Sequence, residues 1–446
     1  MELWTVELGL LRMRIGCAVL LLALGSATGA CQQPEPRNPP RALSDELNDN
    51  LPRWVRFSGE YRGRTEGVDG GAFQRDDDDA YFLNRIRLNL NLHPISWLGF
   101  GFQAQDAHVF GFNETPRPPL QDSLDLRQAY LHMENSSKTR AFRAGRQELT
   151  FGGQRLLGNA NWGNAARVWD GIHGTLRRGD NAVDVFAASL VRNVDGRLNH
   201  NAPGNWMYGA YGSLETLVPE AVVEPYFLWH RSSGESTEAG EEATLRFATV
   251  GVRWEGKLPR NFDYETEMVK QAGSVGSDTV GAWAGYWSLG YTTGFRFRPH
   301  IVAQYHFGSG DATRSDGRRE TFDQLYPSPH DKTGLSDQVG WRNSHNAGLS
   351  GEMEINPKVS LIARYQSWWL ANRNDALYTP QGNVVVLDSS AGRHVGQELD
   401  GILNYALNPQ VQIGGGYAHI FPGTFLRNAT PGAAYNFVYL SFTFRF

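Results

Sequence analysis

The sequence predicts an all-β fold, a single transmembrane antiparallel β-barrel of about 18 strands behind an N-terminal signal peptide. Three observations carry that reading. Apolar and polar residues alternate with period two through most of the chain. Short turns alternate with long polar loops. The last segment keeps the alternation up to a terminal Phe446.

At the N-terminus, Arg12 and Arg14 precede the apolar run 15–24, and small residues from Gly25 to Ala30 follow. A charged start, a short apolar run and a small-residue end make a secretory signal, and the run is too short to span a membrane as a helix. The expected division is a signal peptide at 1–30, a periplasmic linker at 31–52 and a barrel at 53–446. Cleavage before Cys31 would resemble lipoprotein processing, but Thr28 stands where that motif prefers Leu, which favours ordinary cleavage nearby. Residues 32–40 are proline-rich and polar, the composition of an extended linker.

From Trp54 onward, Val55, Phe57 and Tyr61 alternate with Arg56, Ser58, Glu60 and Arg62. Further on, Ile86, Leu88, Leu90 and Leu92 alternate with Arg85, Arg87, Asn89 and Asn91. Successive strand residues point to opposite faces, so each set takes one face. A soluble sandwich would show the same alternation, and the turns decide between the two. Tight turns fall at His93-Pro94, Asn135-Ser136-Ser137-Lys138, Gly179-Asp180, Pro219-Glu220, Asn356-Pro357-Lys358 and Asn408-Pro409, with long polar loops at 65–80, 308–340 and 371–393. Strict alternation places every short turn on one side, the periplasmic side of an outer-membrane barrel, with the long loops outside. About eight turns and nine loops return both termini to the periplasm. In the last strand Val438, Leu440, Phe442, Phe444 and Phe446 share a face opposite Ser441, Thr443 and Arg445. A final strand of this kind, ending in Phe, serves barrel assembly.

Composition agrees. The chain has 50 Gly, 23 Phe, 17 Tyr and 13 Trp beside a mean hydropathy of −0.43, the mixture that a wall of alternating lipid-facing and lumen-facing residues produces. A net charge of −5 offers no basic excess for nucleic acid. Of the two cysteines, Cys17 lies in the signal, so the mature chain forms no internal disulfide. The sequence has no HExxH, no Cys/His cluster, no nucleophile elbow and no P-loop, so neither an enzyme nor a metal or other cofactor is expected. The acidic run 76–79 lacks the spacing of a calcium loop and reads as a solvated outer loop. Trp97, Trp283, Trp287, Trp368 and Trp369 read mainly as an aromatic girdle, and for a loop tryptophan such as Trp162 stacking on a sugar ring is the less favoured alternative.

By phase alone Arg56, Arg62, Arg85, Arg87, Arg364 and Arg445 face inward. Barrel closure puts Arg445, Arg56, Arg62, Arg85 and Arg87 on one arc. A guanidinium fork matches a carboxylate, and a row of such groups lets an anion step along a pore. Inward acids offer the competing account, in which the arginines are ion-paired wall: Glu60, Glu224, Glu265, Glu267, Glu352, Glu354, Glu398 and Asp400, most of them expected opposite the basic arc. Arg146, Arg155 and Arg167 fit either a binding ledge near the outer mouth or an ion-paired loop folded into the barrel, with Asp170 and Glu148 as ready partners.

The run Gly145-Arg146-Gln147-Glu148-Leu149-Thr150-Phe151-Gly152-Gly153-Gln154-Arg155-Leu156, followed by Trp162-Gly163-Asn164 and Arg167-Val168-Trp169-Asp170-Gly171, resembles the alginate export family of outer-membrane barrels. Asn84-Arg85-Ile86-Arg87-Leu88 and Leu126-Arg127-Gln128-Ala129-Tyr130 support the resemblance. It implies a monomeric barrel with an arginine-lined constriction that passes an anionic uronate polymer. One departure stands out. The exporter has an extended periplasmic turn before its penultimate strand, and here that turn is only Ala406-Leu407-Asn408-Pro409-Gln410. The expected function is a bacterial outer-membrane channel for an anionic polysaccharide or sugar acid, and the alternative is a general diffusion porin of weak selectivity. The expected partners are that solute, outer-membrane lipid and lipopolysaccharide, and the barrel assembly machinery, which would engage the last strand.

Overall fold

The computed structural model describes residues 43–113, 119–330 and 332–446. The expected signal peptide, both cysteines and the proline-rich stretch lie outside these residues. Eighteen strands form the wall. The first six are β1 Val55–Asp69, β2 Asp78–Ile95, β3 Leu98–Phe110, β4 Asp122–Glu134, β5 Arg140–Gln147 and β6 Trp169–Arg178. The next six are β7 Asn181–Arg192, β8 His200–Ser213, β9 Ala221–Ser236, β10 Glu242–Leu258, β11 Phe262–Val275 and β12 Asp278–Thr292. The last six are β13 His300–Gly308, β14 Ser344–Asn356, β15 Val359–Leu370, β16 His394–Ala406, β17 Val411–Pro422 and β18 Tyr435–Arg445. Neighbours in sequence pair antiparallel around the sheet, and the two-residue strand Arg318–Arg319 adds to β12 at its outer end.

Closure is direct. β18 pairs with β1, with Glu60 opposite Arg445 and Asp69 opposite Asn436. At the seam the Phe446 amide donates to the Gly59 carbonyl at 2.9 Å and the Gly59 amide to the Phe446 carbonyl at 2.6 Å. A Cβ added at Gly59 would stand 2.3 Å from the Phe446 ring, so the absence of a side chain there lets the terminal ring lie on the wall.

The faces follow the alternation. Ile86, Leu88 and Leu90 are exposed outward while Arg85 and Arg87, between them, are buried inward. Val438, Leu440 and Phe442 are likewise exposed on β18. The turn pattern holds with relaxations on both sides. On the outer side β11 and β12 are joined by Gly276-Ser277 alone, with Gly276 at φ 57° in the left-handed region, and β9 and β10 by 237–241, while on the side of the termini the connections 214–220 and 293–299 are longer than either. Strands also run further out than the polar composition suggests, so the first outer loop is 70–77 rather than 65–80. Ahead of the wall, within the expected linker 31–52, α1, Leu43–Asn50, docks on β1, where Asn48 exchanges two hydrogen bonds of 2.8 Å with the Phe57 backbone.

The lumen departs most from the simple alternation. Its outer half is packed, not aqueous. Inward Phe186, Met207, Leu228 and Phe247 meet Leu149, Leu156 and Leu157 of the loop 148–168 and Phe322 of the loop 309–343 in one apolar core. A second core joins Phe73, Leu335, Trp368, Tyr435 and Phe437 with Phe425 and Leu426 of α2, Thr424–Ala429. Trp368 is therefore core rather than girdle, although Trp97, Trp283 and Trp369 are exposed. Burying each Phe or Leu is worth about 1.5–3 kcal/mol, which offsets the ordering of two long loops inside a barrel.

Candidate functional site

The loop 148–168 crosses the bore. It leaves β5 with Phe151 stacked on Tyr211 and Phe186, at 4.9 and 5.1 Å between ring centroids. It then reaches the far wall, where the Arg155 guanidinium lies 3.4 Å over the Tyr286 ring and 3.6 Å from Glu265. Residues 161–164 return to β1 and β2. The loop 309–343 zips onto it. The Tyr326 amide donates to the Leu156 carbonyl at 2.8 Å, the Gly158 amide to Tyr326 at 2.9 Å and the Ser328 amide to Gln154 at 2.9 Å. Arg167 locks this junction by donating to the carbonyls of Gly158, Tyr326 and Pro327 at 2.9, 2.6 and 2.9 Å. Burial lowers its pKa to about 10, still high enough to keep the charge at neutral pH. Trp162 stacks on His330 at 3.7 Å, with the Arg64 guanidinium also 3.7 Å from its ring. Those two contacts already occupy the ring face that a sugar would need.

Beneath the loop, toward the termini, lies a cavity of about 210 Å³. Arg62, Arg64, Arg85 and Arg445 line it with one carboxylate, Glu60. Asn404, Gln412, Ser441 and Thr443 supply uncharged polar groups, and Trp162 and Tyr439 form the roof side. Glu60 accepts from Arg85 at 2.7 Å and from Arg445 at 3.3 Å. Arg62 spends its donors on the loop: the carbonyls of Asn161 at 2.9 Å, Trp162 at 3.1 Å and Gly163 at 3.3 Å. Arg85 also reaches the Asn161 carbonyl at 3.2 Å, and Arg87 donates to Asn161 Oδ1 and Gln105 Oε1, both at 2.7 Å. The basic arc is thus both the wall of the chamber and the clamp on the loop.

The other expected residues fall elsewhere. Arg56 is exposed at the periplasmic end and donates to the carbonyls of Pro52 and Val55. Arg364 stands opposite Asp400 in the β15–β16 register, on a separate wall. Arg146 forms a two-pronged pair with Asp170 at 2.8 and 3.1 Å. Of the acids, Glu224, Glu265 and Glu267 sit on β9 and β11, far from β1. Glu398 and Asp400, on β16, are three strands from it and accept from Ser336 and Leu335 of the inserted loop. Glu352 and Glu354 are exposed.

Arg64, Arg127 and Arg253 are inward arginines that escaped the sequence reading. Arg64, paired with Glu66 at 2.6 Å, only needed the Arg62 phase carried two residues further. Arg127 binds Glu148 and Gln103. Burial works to raise Glu148, and Arg127, with Arg87 and Asn159, more than offsets it, so the carboxyl lies below its usual range. Arg253 draws Glu224, Glu255 and Glu265 around it. No sequence signal marked Asn161 as the group that Arg62, Arg85 and Arg87 hold. Among the described residues no group of three or more His, Cys, Asp or Glu is arranged to hold a metal ion.

The barrel resembles solved outer-membrane porins. It matches Pseudomonas aeruginosa OpdO with a TM-score of 0.60 at 13% identity, covering 90% of this chain and 99% of that one. It matches P. aeruginosa OpdQ with a TM-score of 0.60 at 11% identity, covering 88% and 97%. Acinetobacter baumannii OccAB2 gives 0.57 at 11% identity, covering 87% and 98%. At such identities the likeness speaks for the fold alone. No curated protein matches the chain. The alginate export family model matches residues 53–439, nearly the whole barrel from β1 into β18. With its closed 18-strand wall and apolar outer face, the chain belongs to the alginate export family of bacterial outer-membrane β-barrels.

Proposed function

We propose that this barrel passes an anionic saccharide or sugar acid, alginate-like in carrying a carboxylate on a hydrophilic ring. One observation carries the reading: the chamber of about 210 Å³ is lined by four guanidinium groups and one carboxylate. Inside low-dielectric walls that excess attracts anions and repels cations. The bidentate fork suits a uronate, and Asn404, Gln412, Ser441 and Thr443 suit its hydroxyls. The two inserted loops would have to yield for a polymer, whereas a monomer needs less room. The test is reversal potential in a planar bilayer, with a short uronate oligomer as blocker. Anion selectivity and block by the uronate, but not by a neutral oligomer of equal length, are the expected results.

A general diffusion porin is the second reading, favoured by the pairing of Glu60 with Arg85 and Arg445 and of Arg146 with Asp170. Weak selectivity with equal passage of neutral and anionic sugars would establish it over the first. Under either reading the solute is small and hydrophilic, the chain acts as a monomer, and the assembly machinery reads β18.

A further inference from the structure

We propose that the outward wall formed by β9 to β12 carries a binding site for a phosphorylated glycolipid of the outer leaflet, the phosphate-bearing lipid A portion of lipopolysaccharide. The proposal rests on outer-membrane placement and not on what the pore conducts. The observation is a single register row. Arg231 of β9 is directly opposite Arg246 of β10, Arg246 is opposite Ser274 of β11, Ser274 is opposite Thr279 of β12, and Thr279 is opposite Arg318 of the two-residue strand. Arg231, Arg246, Thr279 and Arg318 are all exposed. The buried neighbours Leu245, Phe247, Val275 and Val280 face inward, so this row faces out. With strands about 4.8 Å apart, five positions span roughly 19 Å.

Height on the wall agrees with that assignment. Ser274 and Thr279 flank the Gly276-Ser277 turn, on the side opposite the termini, which is the outer-leaflet side. Four residues nearer the periplasm on the same face lies the row Phe227, Val250, Lys270 and Trp283, each directly opposite the next. Phe227, Val250 and Trp283 are exposed at 46%, 53% and 45%, an apolar belt at acyl-chain depth. Lys270, exposed among them, can extend its ammonium upward toward the arginines.

The charge arrangement calls for an anion. Arg231 and Arg246 are a like-charged pair directly across two strands, which opposes sheet pairing. Among the described residues no carboxylate is recorded in an ion pair with either side chain. A phosphate between them would accept from both forks, and the serine and threonine hydroxyls could donate to its remaining oxygens. Acyl chains would then lie over Phe227, Val250 and Trp283. The basic row and the apolar belt together match a lipid that has phosphates above and hydrocarbon below.

The experiment uses the full barrel in detergent with native mass spectrometry. The probes are bisphosphorylated lipid A and its dephosphorylated form. The variant is Arg231→Ser with Arg246→Ser and Arg318→Ser, checked for folding by heat-modifiable migration. The wild type should retain bisphosphorylated lipid A at least about tenfold more than the dephosphorylated lipid, and the variant should lose that preference. Retention should survive chelation of divalent cations, because the contact is direct. Equal retention of both lipids by the wild type, an unchanged preference in the variant, or a preference that vanishes on chelation would each overturn the proposal. Channel selectivity, set by inward residues, should be the same in both proteins, so a failure here is separable from a failure of the pore reading.

Discussion

Arg62 is the side chain whose loss should most directly loosen the inserted loop. Replacing it with Met keeps the packed stem and removes the donors. Two of its bonds are well formed, to the Asn161 carbonyl at 2.9 Å and the Trp162 carbonyl at 3.1 Å. Bonds from a charged donor contribute about 1.5–3 kcal/mol each, so the pair is worth about 3–6 kcal/mol. Water in the chamber will re-solvate the carbonyls, which reduces the net loss to about 2–3 kcal/mol. At about 1.4 kcal/mol per decade, the ratio of displaced to seated loop should rise roughly 30- to 150-fold. Arg64 still holds the Trp162 carbonyl at 2.8 Å and Arg87 still holds Asn161, so the loop should flicker rather than leave. Single-channel recording of Arg62→Met should therefore show frequent openings to a larger conductance, and deletion of 159–164 should hold that state. Open probability and conductance equal to wild type, in a barrel that still migrates as folded, would refute the clamp.

Other outcomes are equally definite. Arg85→Glu with Arg87→Glu should turn anion preference toward cations in dilute salt, an effect that fades at molar salt, where the Debye length is about 3 Å; unchanged cation exclusion would show that these arginines serve only the loop and Glu60. Deleting Phe446 removes two seam bonds, and Gly59→Ile drives a side chain into the Phe446 ring, so both should lower the yield of heat-modifiable barrel; normal yield would refute the seam account. Asp311, in the outer loop 309–343, has its pKa pushed up to about 6, first by burial and then by Glu238 and Asp375, against the Thr313 amide that donates to it. A raised carboxyl favours the seated loop at low pH, and that contribution is lost as pH rises through about 6. Corrected for the base catalysis that speeds every amide, hydrogen exchange in 309–343 should accordingly quicken between pH 5 and pH 8, and Asp311→Asn should remove that excess; an equal excess in the variant would refute the assignment.

The sequence by itself determined the wall. Period-two alternation puts Ile86, Leu88 and Leu90 in lipid and Arg85 and Arg87 inside, because a strand offers only two faces and a one-residue slip would bury the wrong one. Turn spacing likewise set the strand number and the side of the termini. The region around Gly145–Gly171 identified the family but not its own path, because nothing local fixes where a loop goes. Tertiary structure decided that. Leu149, Leu156 and Leu157 carry no strand alternation, and they become core only because closure brings Phe186, Met207 and Phe247 around them. The same closure turned inward Tyr435, Phe437 and Trp368 from lumen positions into core. It also gave the arginines their partners. Phase places Arg62 and Arg85 on the inner face, but the choice between Glu60, the Asn161 carbonyl and open chamber depends on a loop 99 and 76 residues away from them in the chain. Sidedness is local physics along each strand, whereas contact across the bore is a property of the closed barrel.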